Sequence, residues 1–201
     1  MFNIIATLVL LLGFPLAQPA VDLTPSPFAA QHRAAHHIFF DNVIDGASCS
    51  ATAVGPHTLL TAGHCLLASN TVEIDGDKAT IAKFVFDDAD HMLIVTDAVF
   101  QAWLPIDQEA LFSIGDAPVH IWGNPGHSLD VFRFGVFLRW NAAGDNAHLA
   151  VFQLPTFAGD SGSGVISESG RIVAVISLGN NDAEMAAFPL HFTEDQLAQI
   201  K

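Results

Sequence analysis

From residue 38 onward, short apolar or alternating runs recur along the chain, separated by Gly, Asn, Asp and Pro. Runs of this length are the pattern of strands in a packed sheet, and the interruptions are turn formers. They predict strands near residues 50–54, 58–61, 71–74, 80–86 and 92–96. A second group follows near residues 119–122, 131–140, 147–153, 164–167 and 171–177. The alternation Val131-Phe132-Arg133-Phe134-Gly135-Val136-Phe137 suits a bent strand, with Gly135 where a bulge can sit. A helical signal comes only at the end. Thr193-Glu194-Asp195-Gln196 is a capping box ahead of Leu197 and Ile200, and predicts a short C-terminal helix. Many short strands at regular spacing predict an all-β sandwich or barrel.

Ahead of residue 38 the pattern changes. Ile4 to Leu12 is apolar throughout except for Thr7, and Gly13, Pro15 and the small residues Ala17 and Ala20 follow. The run has the length of a signal-peptide core and is too short to span a bilayer as a helix. Residues 1–20 are therefore read as a secretory signal. An uncleaved membrane anchor is the alternative, because no Lys or Arg precedes the run and Pro15 and Gln18 stand where a cleavage site wants small residues. Residues 21–37 are read as an N-terminal arm or propeptide, with Pro25 and Pro27 arguing against regular structure. His32, His36 and His37 lie here without Cys or carboxylate at ligand spacing, so they are read as a polar segment and not a metal site.

Composition narrows the partners. The chain has 201 residues, 51% of them hydrophobic, enough for one domain with a sizeable core. Its formal net charge of −14 argues against nucleic acid or an anionic membrane surface as a partner. No P-loop, dinucleotide fingerprint or metal-binding cluster is present, so no cofactor is expected.

The candidate chemistry centres on Gly159-Asp160-Ser161-Gly162-Ser163-Gly164. Its glycines permit a tight turn with positive φ, which can expose a serine hydroxyl and aim backbone N–H groups at one point. Alone, this is a Gly/Ser turn between strands. A serine nucleophile needs a base, and histidine is the usual one near neutral pH. Thr61-Ala62-Gly63-His64-Cys65 supplies it upstream. The base needs a carboxylate to hold its tautomer. Asp90, opening Asp90-His91-Met92-Leu93-Ile94, is the choice, with Asp87 and Asp88 as neighbouring competitors. His91 is read as a strand-edge residue. The oxyanion hole would be the backbone N–H groups of Gly159 and Ser161.

The order His64, Asp90, Ser161 and the two stretches around His64 and Ser161 resemble the chymotrypsin-like (trypsin-fold) serine peptidases, over the chain from about Cys49 to the C-terminus. The resemblance implies two six-stranded antiparallel β-barrels with a short C-terminal helix and a triad in the cleft between them. Barrel 1 would run over about 38–104 and barrel 2 over about 118–201, within a peptidase domain of 38–201. It pairs Cys49 with Cys65 as a disulfide around the catalytic histidine. In many relatives the residue before the nucleophile pairs with a newly freed N-terminal amine. No activation sequence stands upstream here, so the partner of Asp160 is open: a new N-terminus, an internal base, or none.

The resemblance also outlines a pocket for P1, the residue on the acyl side of the scissile bond. Pro155 would form its floor, Thr156, Phe157 and Ala158 one wall, and Ser177, Leu178 and Gly179 the other. Ala186, Ala187 and Phe188 would complete it. Pro155, where trypsin-type enzymes carry aspartate, points to an apolar or small P1 residue. The reading is a secreted, monomeric serine endopeptidase acting on proteins or peptides. The alternatives are a membrane-anchored polyprotein-processing peptidase of viral type, a non-catalytic peptide-binding relative, and an esterase with the same triad.

Overall fold

A computed structural model of the chain describes residues 27–40, 48–66, 69–127, 131–143, 147–179 and 183–200. The apolar run read as a signal or anchor lies outside them. Pro27 does not break structure; it opens helix α1 (Pro27–Ala34). The first helical position needs no N–H partner and suits the fixed φ of proline. The helix leads straight into strand β1 (Ala35–Phe39), so the sheet begins at Ala35 within the segment expected to be irregular.

β1 joins β2 (Ser48–Gly55), β3 (Thr58–Ala62), β4 (Thr71–Ile74), β5 (Asp77–Phe86) and β6 (His91–Thr96) in a closed antiparallel barrel. The order around it is β1-β2-β3-β6-β5-β4. Ile38, Leu59, Leu60, Met92, Leu93 and Ile94 are fully or almost fully buried in its apolar cluster. Phe100, Leu104, Leu190 and Phe192, from the connecting and C-terminal segments, belong to the same cluster. β3 and β6 are therefore buried along nearly their whole length and read as continuous apolar runs.

Among the described residues, the second half shows no closure into a six-stranded barrel. It is a seven-stranded antiparallel sheet of β7 (Pro118–Gly123), β8 (Val131–Ala143), β9 (Ala147–Gln153), β10 (Gly164–Ser167), β11 (Ile172–Val175), β12 (Leu178–Gly179) and β13 (Glu184–Ala187). Its order is β11-β10-β7-β8-β9-β13-β12. The end strands β11 and β12 are consecutive in the chain but form no ladder with each other. Ile176, just after β11, continues the pairing with the β10 side toward the Ser161 turn: Ile176 O accepts from Gly162 N at 2.9 Å, and Ile176 N donates to Ser163 O at 3.0 Å. Among the described residues, β12 has β13 as its strand partner and lies at the edge of the sheet.

Gly135 does not sit at a bulge. It pairs regularly with Val119, and the register shift in β8 falls between Phe137 and Arg139. A Cβ at Gly135 would lie 2.7 Å from Leu154 Cβ, so glycine there serves close approach. The C-terminal helix α2 (Glu194–Leu197) is a single turn with its capping box formed: Gln196 N donates to Thr193 Oγ1 at 3.2 Å and Thr193 N to Gln196 Oε1 at 2.7 Å.

Cys49 and Cys65 form a disulfide with a Cα–Cα distance of 6.2 Å, joining β2 to the turn that carries His64. It closes a loop of sequence separation 16. Replacing both cysteines by alanine is expected to cost about 3 kcal/mol through the freed loop entropy. A lower thermal midpoint at unchanged far-UV circular dichroism would show it; an unchanged midpoint would refute it.

Candidate active site

β3 ends at Ala62, and Gly63–Cys65 form one 3-10 turn that presents His64. Gly63 N donates to Asp90 O at 2.9 Å. A Cβ on Gly63 would stand 3.1 Å from Asp90 Oδ1, so glycine lets the two segments approach. The Asp90 carboxylate then holds its neighbour twice: His64 N donates to Oδ1 at 2.8 Å and His64 Nδ1 to Oδ2 at 2.7 Å. This fixes the ring's tautomer and leaves Nε2 available on a side chain that is 45% exposed. The hydrogen bond to Asp90 raises the pKa of His64; burial opposes it, and the Asp90 charge adds a smaller upward push. Burial pushes the Asp90 carboxyl up, but the hydrogen bonds from His64 hold it below its ordinary value. The Ser177 hydroxyl, buried and otherwise unpartnered, adds to that lowering. Of the competing carboxylates, Asp87 turns inward to His91 at 2.6 Å, and Asp88 is exposed. His91 is the first residue of β6, at the strand's edge as expected, but it is fully buried.

Ser161 sits on a turn flanked by Gly159 (φ 99°) and Gly162 (φ 90°), a region that favours glycine. A Cβ on Gly162 would collide with Ser50 O and Thr61 Oγ1. Ser50 of β2 is the hub that seats the turn on the first barrel. Its N–H donates to Ser161 O at 2.7 Å and its hydroxyl to Gly159 O at 2.8 Å. Asn124 N and Nδ2 donate in turn to Ser50 Oγ at 3.1 and 3.0 Å. Ser50 adjoins Cys49, whose disulfide partner Cys65 adjoins His64. Cys65 Sγ, next to His64, lies 3.8 Å from Ser161 O, so backbone and disulfide tie the two turns; among the described residues no hydrogen bond joins the Ser161 hydroxyl to the His64 imidazole. Such bonds are often long without substrate. Among the described residues, the N–H groups of Gly159 and Ser161 meet no acceptor.

Asp160 has an internal partner. Arg133, pointing in from β8, donates through Nη1 to Asp160 Oδ2 at 2.6 Å and through Nη2 to Oδ1. Phe157 N donates to Oδ2 at 2.7 Å. The aspartate is fully buried and the arginine 12% exposed. Arg133 Nη1 also reaches Pro155 O at 3.2 Å, so one guanidinium braces both ends of the 155–160 segment.

That segment faces β12. Thr156 is buried, its hydroxyl has no partner, and a Cβ on Gly179 would collide with it. Gly179 pairs with Met185 of β13 in an antiparallel register, and such partners share a face. Met185 is 1% exposed, so it lies buried on the face where Thr156 meets Gly179. Ala186 pairs with Leu178 on the opposite face. Phe157 and Leu178 are about half exposed. No group of three or more His, Cys, Asp or Glu that could hold a metal is found among the described residues.

Sequence reasoning missed Arg133, Ser50, Met185 and the Asp87–His91 pair. Only Arg133 had a signal: it is a lone cation within the apolar alternation of residues 131–137, though its partner Asp160 lies far along the chain.

The sequence matches the family described as trypsin-like peptidase domain over residues 49–175. No curated protein matches it. In structure it is similar to the Rv3671c protease from M. tuberculosis in its active form, with a TM-score of 0.68 and 19% identity, covering 97% of this chain and 94% of that one. It is similar also to a Glu endopeptidase (TM-score 0.63, 20% identity, 83% of this chain and 88% of that one). The HtrA-type protease AlgW is a third (TM-score 0.69, 14% identity, 86% of this chain and 60% of that one).

Proposed function

The chain belongs to the trypsin-like peptidase family, and on that footing we propose that it is a serine endopeptidase working through Ser161, His64 and Asp90. The observation that carries this reading is the doubly held His64–Asp90 pair, with Nδ1 to Oδ2 at 2.7 Å, beside a serine turn seated on the same strand system. Ser161 Oγ attacks the scissile carbonyl carbon as His64 Nε2 takes its proton. The oxyanion is met by the free N–H groups of Gly159 and Ser161, each worth a few kcal/mol of transition-state stabilisation. The C–N bond breaks as His64 returns the proton to the leaving amine. Water then repeats the cycle on the acyl-enzyme. Asp160 is already paired with Arg133, so the oxyanion turn needs no newly made N-terminal amine. Every group comes from one chain, so a monomer suffices. The disulfide suits an oxidising compartment, in keeping with secretion.

A burst tests the reaction class. Pre-steady-state hydrolysis of p-nitrophenyl acetate should release nitrophenol equal to the enzyme present, then settle to a slower rate. A steady rate with no burst, shared by Ser161→Ala, refutes the acyl-enzyme.

The substrate docks as a strand along the open edge of β12, with a small P1 side chain. Thr156 against Gly179, with Met185 behind, leaves little depth below the scissile bond. A P1 peptide library should favour Ala and Ser over Phe by about tenfold or more. The Thr156→Gly/Met185→Ala double variant should gain Phe cleavage. A wild type that prefers large P1 residues contradicts this reading of the pocket.

A further inference from the structure

Asp87 is the carboxylate the proposed triad leaves unused, and it is more buried than Asp90. The side chains of Asp87 and His91 are both fully buried, whereas Asp90 keeps 21% exposure. Four N–H groups converge on Asp87. Ala89 N and His91 N donate to Oδ1 at 3.0 and 3.3 Å. His91 Nδ1 and His191 N donate to Oδ2 at 2.6 and 3.0 Å. Asp87 N returns to His91 O at 3.4 Å. Residues Asp87 to His91 are therefore a loop closed around its own first side chain, and Asp90 is the member that reaches out to His64.

This loop is anchored on both sides. His91 pairs with Ala62 at the end of β3, next to the turn that carries His64. On the other side, His191 N ties the C-terminal segment to the carboxylate, and the Phe192 ring lies 6.4 Å from the His91 ring. Phe192 is held in turn by Gln108, which donates to its O at 3.0 Å and accepts from its N at 2.7 Å. Among the described residues, His91 Nε2 is buried without a partner and the ring's hydrogen bond is the one to Asp87. An unpartnered buried nitrogen is a cost that an apolar residue would avoid. The hydrogen bond to Asp87 is what the histidine contributes there. The other titratable groups around the pair are Asp88 and Asp90 on the loop, His64 across from Asp90, and the exposed His191. Burial pushes the Asp87 carboxyl up, yet the hydrogen bond from His91 and the backbone donors hold it below its ordinary value, so it is ionised in working conditions.

We propose that Asp87 and His91 are positioning residues, a second and buried carboxylate–imidazole pair that sets Asp90 against His64. The inference rests on the reading of His64 as base and Asp90 as its orienting acid. Asn at position 87 keeps one acceptor oxygen and turns an NH2 toward N–H donors. The loop then opens, Asp90 withdraws, and His64 loses the hydrogen bond that raises its pKa.

The test is the pH profile of kcat/KM for four purified variants, with concentrations set by absorbance and folding checked by circular dichroism. Asp87→Asn and His91→Leu should lower kcat on the order of 10²-fold with KM little changed, and move the acid limb to lower pH. His91→Asn, whose amide can donate where Nδ1 does, should keep the wild-type limb. His64→Ala is the control for the underlying reading. A folded Asp87→Asn or His91→Leu with the wild-type limb and rate, while His64→Ala is inactive, overturns this inference alone. Full activity in His64→Ala overturns the base assignment and the inference with it. If Asp87→Asn does not fold, the contrast between His91→Leu and His91→Asn decides: equal limbs in the two contradict the proposal.

Discussion

Replacing Ser161 by Ala is expected to lower kcat/KM about 10⁶-fold while leaving the fold intact. Among the described residues the hydroxyl forms no hydrogen bond on which the turn depends; the Ser161 backbone carbonyl, held by Ser50 N at 2.7 Å, does the seating. His64→Ala should cost about as much, because nucleophile and base act as a unit and their losses do not add. Asp90→Asn should cost about 10⁴-fold, through the wrong tautomer of His64. The pH profile separates the roles. A general base must be neutral, so activity rises as pH climbs through the pKa of His64, which Asp90 holds above the ordinary imidazole value. Asp90→Asn removes that influence and moves the acid limb to lower pH. The same pairing links stability to pH. The share from His64 is full below the ordinary imidazole pKa and fades as pH rises through its raised value. The share from Asp90 is present above the ordinary carboxylate pKa and fades as pH falls through its lowered one.

Arg133→Met is expected to destabilise the protein by about 3–5 kcal/mol, since it strands a buried carboxylate. Asp160 is fully buried and its counter-charge is a single guanidinium. Without it, the aspartate must take up a proton or swing toward solvent, and either pulls on Phe157 N and on the N–H groups of Gly159 and Ser161. Activity should fall by about 10²–10³-fold in protein that remains folded, the scale of losing an oxyanion donor. Arg133→Met/Asp160→Leu separates the two effects. An apolar pair of similar size can restore stability, but it has no acceptor for Phe157 N, so the activity should stay low. Thermal melting and active-site titration on both variants measure this. An Arg133→Met protein with wild-type melting and titration would sink the bracing role.

Ten strands of the sheet framework were legible because each buries apolar residues, as an alternation or as a short continuous run bounded by turn formers. What escaped was structure set by other forces. The β1 strand carries His36 and His37 between buried Ala35 and Ile38, so its pattern looks polar. Pro27 looked like a breaker because the position that tolerates proline is known only once the helix start is known. The strand order of the second sheet is set by backbone pairing across distant segments, which no hydrophobic pattern records. In the site, His64 and Ser161 stood in compact motifs, and Asp90 stood out by its place before a strand. Arg133 was hidden because its partner lies on another element. Asp87 was read as a rival of Asp90; it closes the loop that carries Asp90.

The most direct test of the central claim is mass spectrometry after reaction with a fluorophosphonate probe. The account predicts one label per chain, on Ser161, lost in His64→Ala and retained at a lower rate in Asp90→Asn. A folded protein that takes no label, or takes it on a residue other than Ser161, contradicts it.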